Sequence, residues 1–285
     1  MTAINGYVTR AEFIGWIASA TATSATDDPV IDEILEEASR YCDDTTGRHF
    51  FPLQQTRLFD IPYPDRNVPF NSSDTIYLTD DLLALTTFLT GEGPTIAVAN
   101  YILLNPNAPP YWAIQLRDIS TVTWQPAASG SAQQVLSVNG VWGYHPDYAT
   151  RAWSIGGTLG AAIVDTTGLT ATMTAGHTLV PGNLVKIDSE FLCISTVATN
   201  TITWVARGDN GSTAVTHLNG ATVYVWNTYK PVKSAVFQIA QSIYKRRHGD
   251  GLSGIASVTA AGVVITPKDV PELAQRILMG LSRFS

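Results

Sequence analysis

Cysteine is scarce in this chain, and long apolar runs are missing from it. Only two cysteines, Cys42 and Cys193, occur among 285 residues, so the sequence predicts no disulfide framework. Both are expected to be buried as small apolar side chains. No run approaches the ~18–20 apolar residues that a membrane span requires, and no apolar leader opens the chain. We therefore expect a protein that is made and used without a secretion signal or a membrane.

Motifs that bind metals or support catalysis are also missing. The five histidines show neither H-E-x-x-H nor paired cysteine–histidine spacing, so zinc is not expected. The acidic pairs at 43–44 and 80–81 lack the alternating ligands of a calcium loop and are expected to be solvated turn residues. No G-x-S-x-G sequence occurs, and the letters of G-x-G-x-x-G at 249–254 follow a predicted helix instead of a strand. The sequence predicts no enzymatic activity, no metal and no cofactor.

Charged residues are few and unevenly placed. They make up 14% of the chain, and the formal net charge is −7. Residues 1–50 carry nine acidic and three basic side chains, whereas residues 230–285 carry three acidic and eight basic ones. An acidic first part and a basic last part suit docking to other subunits or to a charged surface. Ordinary solvated faces are an equally good interpretation of the same asymmetry.

The stretch at 28–51 predicts the helix around which the rest of the chain is organised. Asp28 can cap its first turn, Pro29 suits the first helical position, and Gly47 suits the C-terminal cap. Apolar residues recur at spacings of three and four, as one face of a helix requires: Val30, Ile31, Ile34, Leu35, Ala38 and Tyr41 or Cys42. Acidic residues occupy the other side: Asp32, Glu33, Glu36 and Glu37.

Three further helices are predicted, one before this helix and two near the end of the chain. Thr9 and Glu12 form a capping box for the first, at 10–19. Pro231 opens the second, which ends in four basic residues at 245–248. Asp269, with Glu272 three residues later, caps the last, whose predicted apolar stripe is Val270, Leu273, Ile277 and Leu281. Two helices from each end of the chain predict a packed helical bundle.

The middle of the chain predicts strands. Short runs bounded by Pro, Gly, Asn and Asp lie at 54–59, 75–78, 85–89, 95–99, 112–116 and 135–144. Five more lie at 170–174, 184–187, 191–197, 201–205 and 222–226, with a turn about every ten residues. We therefore predict an α+β protein, with a helical bundle built from both termini around a central β region at 1–155 and 229–285. Residues 156–228 are predicted to form an inserted small all-β sandwich or barrel.

Two groups of side chains have both a functional and a structural interpretation. The basic cluster at 245–248 suits contacts with phosphate or an acidic partner, or is a solvated helix end favoured by the helix dipole. Aromatic residues of the central β region form either a stacking platform for sugars or bases or part of a core. They are Tyr111, Trp112, Trp124, Trp142 and Tyr144.

Several segments, in this order, resemble one protein family. They are ILEEASRYCDDTTGRHF at 34–50, YILLNPNAPPYWAIQL at 101–116, VNGVWGY at 138–144, a helix ending in YKRRHG and PKDVPELAQRIL at 267–278. Together they resemble the phage head–tail connector (adaptor) proteins of the gp6-like type. The segment at 180–220 resembles small β modules that recur in phage tail and adaptor proteins. This insert departs from the minimal connector, which runs from WGY into the third helix through a short link.

The resemblance implies a structural virion protein. It implies a ring, usually dodecameric, that sits under the portal vertex, extends the DNA channel and offers its lower face to the next tail component. The implied partners are further copies of the chain, the portal protein, a downstream tail or connector protein, and DNA that passes through without sequence-specific contacts. The implied location is the neck of the virion, and the host cytoplasm during assembly.

Two sets of site residues are predicted on this basis. An acidic lumen face is predicted from Asp32, Glu33, Glu36 and Glu37, because fixed negative charge repels phosphate and lets DNA slide. Docking to the portal or to a neighbouring subunit is predicted for Lys245, Arg246, Arg247, Arg276 and Arg283.

Two other classes of protein compete with the connector hypothesis. The first is a β-rich tail protein that binds a receptor or a glycan through the insert and the aromatic residues. The second is a polysaccharide-cleaving enzyme, which requires a pair of acids that face a cleft.

Overall fold

The computed structural model of the chain describes residues 4–17, 28–62, 74–91, 93, 95–247, 257–258, 264–265 and 270–283. The fold is mostly β, with 33% strand and 24% helix. Two antiparallel sheets, of five and six strands, are its main elements. The predicted helical bundle is therefore wrong. The reason is that the central strands pair into two large sheets, and most of the buried apolar side chains lie outside the helices.

The elements follow one another in a simple order. The helices of the described residues are α1 (Arg10–Ile17), α2 (Asp28–Thr46), α3 (Lys230–Arg247) and α4 (Glu272–Met279). The five-stranded sheet contains β1 (Leu53–Phe59), β2 (Thr75–Thr90), β3 (Tyr101–Leu104), β4 (Tyr111–Leu116) and β5 (Leu136–Trp142). The six-stranded sheet contains β6 (Trp153–Thr158), β7 (Thr170–Thr172), β8 (Leu184–Ile187), β9 (Glu190–Ala198), β10 (Thr201–Trp204) and β11 (Thr222–Trp226). A separate pair consists of β12 (Ser257–Val258) and β13 (Val264–Ile265).

The chain divides into two compact units. The first unit consists of Met1–Phe51, Trp153–Asp209 and Thr213–Ser285, so it holds the helices together with the six-stranded sheet. The second unit consists of Pro52–Ala152 and Asn210–Ser212, and it holds the five-stranded sheet. The boundaries predicted for the insert, at residues 156 and 228, stay a prediction.

The sheet of the second unit has the strand order β1-β5-β2-β4-β3, and all its pairs are antiparallel. The predicted strands at 75–78 and 85–89 are parts of the single 16-residue strand β2. The strand predicted at 95–99 is wrong, because Thr95 makes one isolated bridge to Leu89 and Val98–Asn100 forms a 3-10 helix. The core of this sheet contains Leu82, Phe88, Ile114, Leu136, Val138 and Trp142.

Asn139 and Gly140 lie inside strand β5 and form neither a turn nor the end of a strand. The pairing of β5 with β2 shifts register twice, between Leu82 and Ala84 before Gly140 and between Leu85 and Thr87 at the Asn139–Gly140 step. The extra residues therefore belong to β2, which bulges against a regular β5.

The sheet of the first unit closes on itself. Its strand order is β6-β11-β8-β9-β10-β7, so β6 and β7 are its two edges. A bridge between Leu159 and Met173 joins the chain just after β6 to the chain just after β7. The interior is filled by apolar side chains that include Val185, Ile187, Leu192, Ile194, Ile202, Trp204 and Val223. Closure protects most of both edges, and we call this closed sheet the barrel.

Two predicted helix ends of the N-terminal part are confirmed, the start of α1 and the end of α2. The backbone N–H of Thr9 donates to the Glu12 carboxylate (3.0 Å), and the backbone N–H of Glu12 donates to the Thr9 hydroxyl (3.3 Å). Gly47 has a φ of 63°, and its N–H donates to the carbonyl of Asp43 at 2.8 Å, which ends α2. Residues 18–19 of the predicted first helix lie outside the described residues, and so does the predicted cap Asp269.

The helices pack against one another inside the first unit. Helix α2 contacts α1, α3 and α4, and α3 also contacts α1 and α4. Helix α3 buries Val232, Val236, Ile239 and Ala240 along one side. Helix α4 buries Ala274 and Leu278 instead of its predicted stripe, because apolar residues lie on both of its sides and spacing alone does not select one.

Both cysteines are buried and reduced, as predicted. Burial raises the pKa of each thiol to about 12, so neither side chain is a thiolate near neutral pH. The helices that the structure describes are all too short or too polar to cross a bilayer.

Candidate functional site

The predicted basic residues lie on two helices and in the last described turn of the first unit. Lys245, Arg246 and Arg247 are exposed in the final turn of α3. Arg276 lies on α4, where 76% of its side chain is exposed and a nitrogen lies 3.7 Å from Glu272. Arg283 is half-buried, and its backbone N–H donates to the carbonyl of Thr46 at 2.9 Å. Four of the five residues thus present charge to the surface, while Arg283 ties the end of the chain to the end of α2.

The predicted acidic face divides into two parts. Glu33, Glu36 and Glu37 are exposed along α2 and form a row of negative charge, which we call the acidic row. Asp32 is buried instead, with 4% exposure. Its carboxylate accepts two hydrogen bonds from Arg10, at 3.0 and 2.6 Å, and Arg10 also pairs with Asp28. Asp32 therefore joins α1 to α2 and does not belong to the exposed row.

Helix α4 presents an apolar surface to solvent. Leu273 is 56% exposed and Met279 is 66% exposed, and Ile277 between them is half-buried. Trp16 on α1 is a second exposed apolar side chain of the same unit, stacked on Phe237 with ring centroids 4.9 Å apart. Exposed apolar side chains beside charged residues are typical of protein–protein contacts.

Several acidic residues have environments that the sequence did not predict. Asp43 lies in α2 and accepts a hydrogen bond from the Tyr7 hydroxyl, which itself accepts the N–H of Phe50 at 2.8 Å. Burial raises the pKa of Asp43 to about 6, although Arg40 at 3.2 Å lowers it in part. Asp81 is 5% exposed within β2. Neither is the solvated turn residue that was expected. The contacts of Asp43 fix the N-terminal segment to α2.

A buried ionic network in the barrel was not predicted at all. Glu190 is fully buried, and its two oxygens accept hydrogen bonds from Arg207 (2.8 and 2.9 Å) and from the N–H groups of Gly208 and Val215. His217 lies between Glu190 and Asp188, with ring nitrogens 2.9 and 2.8 Å from their carboxylates. The only sequence signal is that Glu190 directly precedes the apolar strand residues Phe191 and Leu192, where a charge needs partners.

The network has the properties of a structural site. Burial raises the pKa of Glu190, but the hydrogen bonds from Arg207, Val215, His217 and Gly208 outweigh burial and lower its pKa to about 2. Arg207 also donates to the carbonyls of Asp165 and Gly168 in one turn and of Val215 in another segment, so one guanidinium holds two loops. The segment at 207–209 is thus anchored by Arg207, whose side chain is only 4% exposed.

The candidate aromatic platform of the second unit is divided between core and surface. Trp142 is fully buried, and Trp124 packs edge-on against Phe88 with centroids 5.8 Å apart. Trp112 is 48% exposed and stacks on Tyr77, which is 50% exposed, at 5.8 Å. Only this pair offers an open aromatic surface among the predicted set and its neighbours in the described part of the chain.

A metal site is also not formed by the part of the chain that the structure describes. Within the described ranges, no group of three or more His, Cys, Asp or Glu side chains is arranged to hold a metal ion. The glycine-rich letters at 249–254 and His248 lie outside the described residues. No protein-family model matches the chain, and a search of curated proteins also finds no match.

Proposed function

We propose that this protein is a structural virion subunit, a head-to-tail adaptor. Its copies would form a ring under the portal, for which the family resemblance implies twelve members. The ring would extend the DNA channel and provide the attachment face for the tail or for the next connector component. The protein would have no enzymatic role, and it would act in the neck of the virion after assembly in the host cytoplasm.

The main support is that one unit exposes opposite charges on separate helices. The acidic row lies on α2, whereas Lys245, Arg246 and Arg247 lie at the end of α3. The basic end of α3 is suited to dock on the portal or on a neighbouring copy while the acidic row on α2 stays exposed. Head-to-tail contacts between copies close into a ring when the rotation from one copy to the next closes. The basic positions at the C-terminal end of α3 are also favoured by the helix dipole, so they cost little stability while the protein is unassembled.

The exposed apolar side chains of α4 supply the second support. Charge complementarity selects the partner and speeds association, but it contributes modest affinity once water is displaced. Leu273 and Met279 add apolar area that only a partner can bury, since α4 already packs its other side on α2 and α3. Either a neighbouring copy or the portal is suited to cover this surface.

The acidic row is assigned to the channel lining. DNA binds tightly where basic residues neutralise its phosphates, and such binding would block its passage. Three exposed glutamates per subunit, repeated around a ring, would repel the phosphates instead. Asp32 is omitted from this assignment because it is buried against Arg10.

Electron microscopy of the purified protein, alone and mixed with its portal, tests the proposal. We expect rings with a central channel, seen either in the free protein or only on portal particles. Mass measurement of the same samples gives the number of copies. Particles that remain monomeric in both samples would contradict the adaptor function.

A second candidate, a glycan-binding tail protein, is favoured by one observation. The Trp112–Tyr77 pair is exposed on the five-stranded sheet, and aromatic faces of this kind stack on sugar rings. This candidate predicts that the wild-type chain binds bacterial surface polysaccharide and that Trp112→Ala abolishes the binding. Wild-type protein that binds no polysaccharide would exclude it.

A further inference from the structure

A groove lies in the second unit, between the end of strand β1 and the start of strand β2. Its volume is about 440 Å³. Small-molecule sites in proteins have volumes of about 300–1,000 Å³, so the groove is large enough for a small organic ligand. Leu58 and Asp60 lie on the β1 side of the groove, Thr75 and Tyr77 lie on the β2 side, and Gln134 also lines it.

The β2 wall presents free backbone groups. The N–H of Leu116 in β4 donates to the carbonyl of Asp74 at 2.8 Å, so the backbone of Asp74 faces β4. Neighbouring residues of an antiparallel strand point their N–H and C=O groups to opposite sides. Thr75 and Tyr77 are one and three residues farther along, so their groups point away from β4 and into the groove that both residues line. Among the described residues, no other group takes up these donors and acceptors.

The β1 wall presents one more such residue. The N–H of Gln54 donates to the carbonyl of Asn210 at 2.8 Å, so the backbone of Gln54 faces away from the neighbouring strand β5. Leu58 is four residues later in the same strand, so its N–H and C=O groups also face away from β5. Leu58 lines the groove, and its side chain is 53% exposed. Both walls therefore offer backbone hydrogen-bonding groups to a ligand.

Asp60 and Gln134 add polar side chains to the groove. One oxygen of Asp60 accepts the backbone N–H of Gln134 at 2.8 Å. The N–H of Ile61 donates to the carbonyl of Ala132 at 2.9 Å, so the segments that carry Asp60 and Gln134 are fixed to each other. The second oxygen of Asp60 and the side-chain amide of Gln134 form no hydrogen bond within the described ranges. Both groups can therefore bind a ligand, and their fixed positions reduce the entropy lost on binding.

An aromatic side chain completes the β2 wall. Tyr77 is 50% exposed and stacks on Trp112, with ring centroids 5.8 Å apart and an angle of 19° between the ring planes. The stack holds the Tyr77 ring in one orientation. Tyrosine and tryptophan provide large, rigid contact areas at low conformational-entropy cost. A flat apolar surface thus lies next to several hydrogen-bonding groups.

These features together select a class of ligand. Asp60 is the only charged side chain among the described residues that line the groove, and its negative charge disfavours phosphates and other anions. The free edge of β2 ends at Tyr77, where the strand bulges, and it is shorter than the roughly five to six residues of a typical strand, so strand addition by a peptide is also disfavoured. A sugar ring carries apolar C–H groups on its faces and hydroxyl groups around its edge. It can therefore stack on a tyrosine while its hydroxyl groups donate to and accept from the polar groups of the groove.

We infer that this groove binds a neutral sugar. The sugar ring packs on Tyr77, and its hydroxyl groups form hydrogen bonds with Asp60, with Gln134 and with the backbone of Thr75. The inference rests on the second proposed function, glycan binding, and goes further because it assigns the glycan a site and excludes acidic sugars. It does not require a ring of subunits.

Saturation-transfer-difference NMR of the full chain tests this site with the methyl glycosides of glucose, galactose, rhamnose and N-acetylglucosamine. The groove variants are Tyr77→Leu and Asp60→Ala. Tyr41→Leu is the matched control, because it removes another exposed tyrosine, from α2 in the first unit. Unchanged thermal unfolding confirms that each variant is folded, and Asp60→Ala alone carries the test if Tyr77→Leu unfolds.

We expect the wild type and the control to transfer saturation to at least one glycoside, and both groove variants to bind it at least tenfold more weakly. Because the ligand is neutral, about 0.5 M sodium chloride should leave the affinity unchanged.

Three results would overturn the inference. If no glycoside binds, the groove is rejected, and the polysaccharide measurement alone decides on glycan binding. If a glycoside binds equally well to the wild type and to the groove variants, glycan binding is retained and the groove is rejected. Binding of tetramethylammonium but of no glycoside would show that the groove holds a cation instead of a sugar. None of these results bears on the adaptor function, which electron microscopy tests.

Discussion

The carboxylate of Glu190 is fully buried, yet it is held in its charged form. Moving a carboxylate out of water is costly, and only well-placed donors offset the cost. Here Arg207 contacts both oxygens, and two backbone N–H groups and His217 complete the shell. Because these partners come from 207–217, Glu190 fixes that loop to strand β9.

The substitution Glu190→Gln is predicted to lower the free energy of unfolding by about 3 kcal/mol at neutral pH, since it leaves the buried guanidinium of Arg207 without its counter-charge. The pKa of Glu190 is lowered to about 2 in the folded protein. Its stabilising contribution is therefore complete above the unfolded pKa of about 4.5 and is lost as the pH falls from there toward 2. Urea titrations of both proteins at several pH values measure the difference.

A matched control is Glu33→Gln, which removes the same charge from an exposed position on α2. We expect this variant to stay within about 0.5 kcal/mol of the wild type at every pH. If Glu190→Gln behaves like the control, Glu190 does not hold the loop.

At the scale of single elements, strands β2 and β5 show how one glycine sets a close approach. A Cβ atom on Gly140 would lie 2.3 Å from the carbonyl oxygen of Ala84 and 2.8 Å from the Cδ1 of Leu82. Both neighbours belong to the bulged part of β2. The bulge and the glycine therefore depend on each other, and the long strand β2 follows β5 only because no side chain stands between them.

The substitution Gly140→Ala is predicted to destabilise the protein by about 2 kcal/mol, because the backbone of β2 has to move away from β5. Gly15→Ala is the matched control. Gly15 is exposed on α1 with nothing within 4 Å of a built Cβ, so alanine there should stabilise the protein by up to about 1 kcal/mol. Thermal unfolding of both variants measures whether each one is less or more stable than the wild type. A neutral Gly140→Ala would contradict the close-approach argument.

At the scale of the whole molecule, charge is distributed for assembly. The net charge of −7 favours repulsion between separate copies, whereas the basic end of α3 favours ordered contact with an acidic surface of a partner. Exposed ion pairs contribute little to the stability of one chain. Their effect should therefore appear in association and not in unfolding.

Reversal of Lys245, Arg246 and Arg247 to glutamate is predicted to reduce ring formation or portal binding at least tenfold while leaving the unfolding temperature unchanged. Repulsion between like charges is the reason, and added salt should weaken the effect. Light scattering and co-sedimentation with the portal measure the two outcomes.

The compensating variant keeps this reversal and also replaces Glu33, Glu36 and Glu37 with lysine. Recovery of the ring in the combined variant would identify the acidic row of a neighbour as the partner of the basic end, and it would contradict the assignment of that row to the channel. If the combined variant recovers neither ring formation nor portal binding, the partner of the basic end is the portal. Unchanged assembly and unchanged portal binding in the first variant would reject the docking role of these residues.

Short-range residue choices were enough to place much of the secondary structure. The capping pair Thr9–Glu12 and the stop at Gly47 act through hydrogen bonds within a few residues, so their effects were predictable. The strands at 184–187 and 222–226 were predicted to the residue, because turn residues bound each one. The exposed charges of α2 and α3 were also predictable, because the spacing of apolar residues along each helix shows which side is polar.

Long-range contacts decided the features that were missed. The predicted helical bundle was wrong because strand pairing between distant segments, such as β1 with β5, forms most of the fold. The assignment of Asp32 to the acidic face was wrong because Arg10 comes to lie beside it only when α1 packs on α2. The Glu190–Arg207–His217 network joins residues up to 27 positions apart, and no local signal connects them.

Where helices and strands begin and end thus follows from neighbours along the chain, because caps and turns are made by adjacent residues. Which face of an element is buried and which charge stays in water depend on segments far apart in the chain. These properties arise from packing and desolvation, and both exist only once those segments have met.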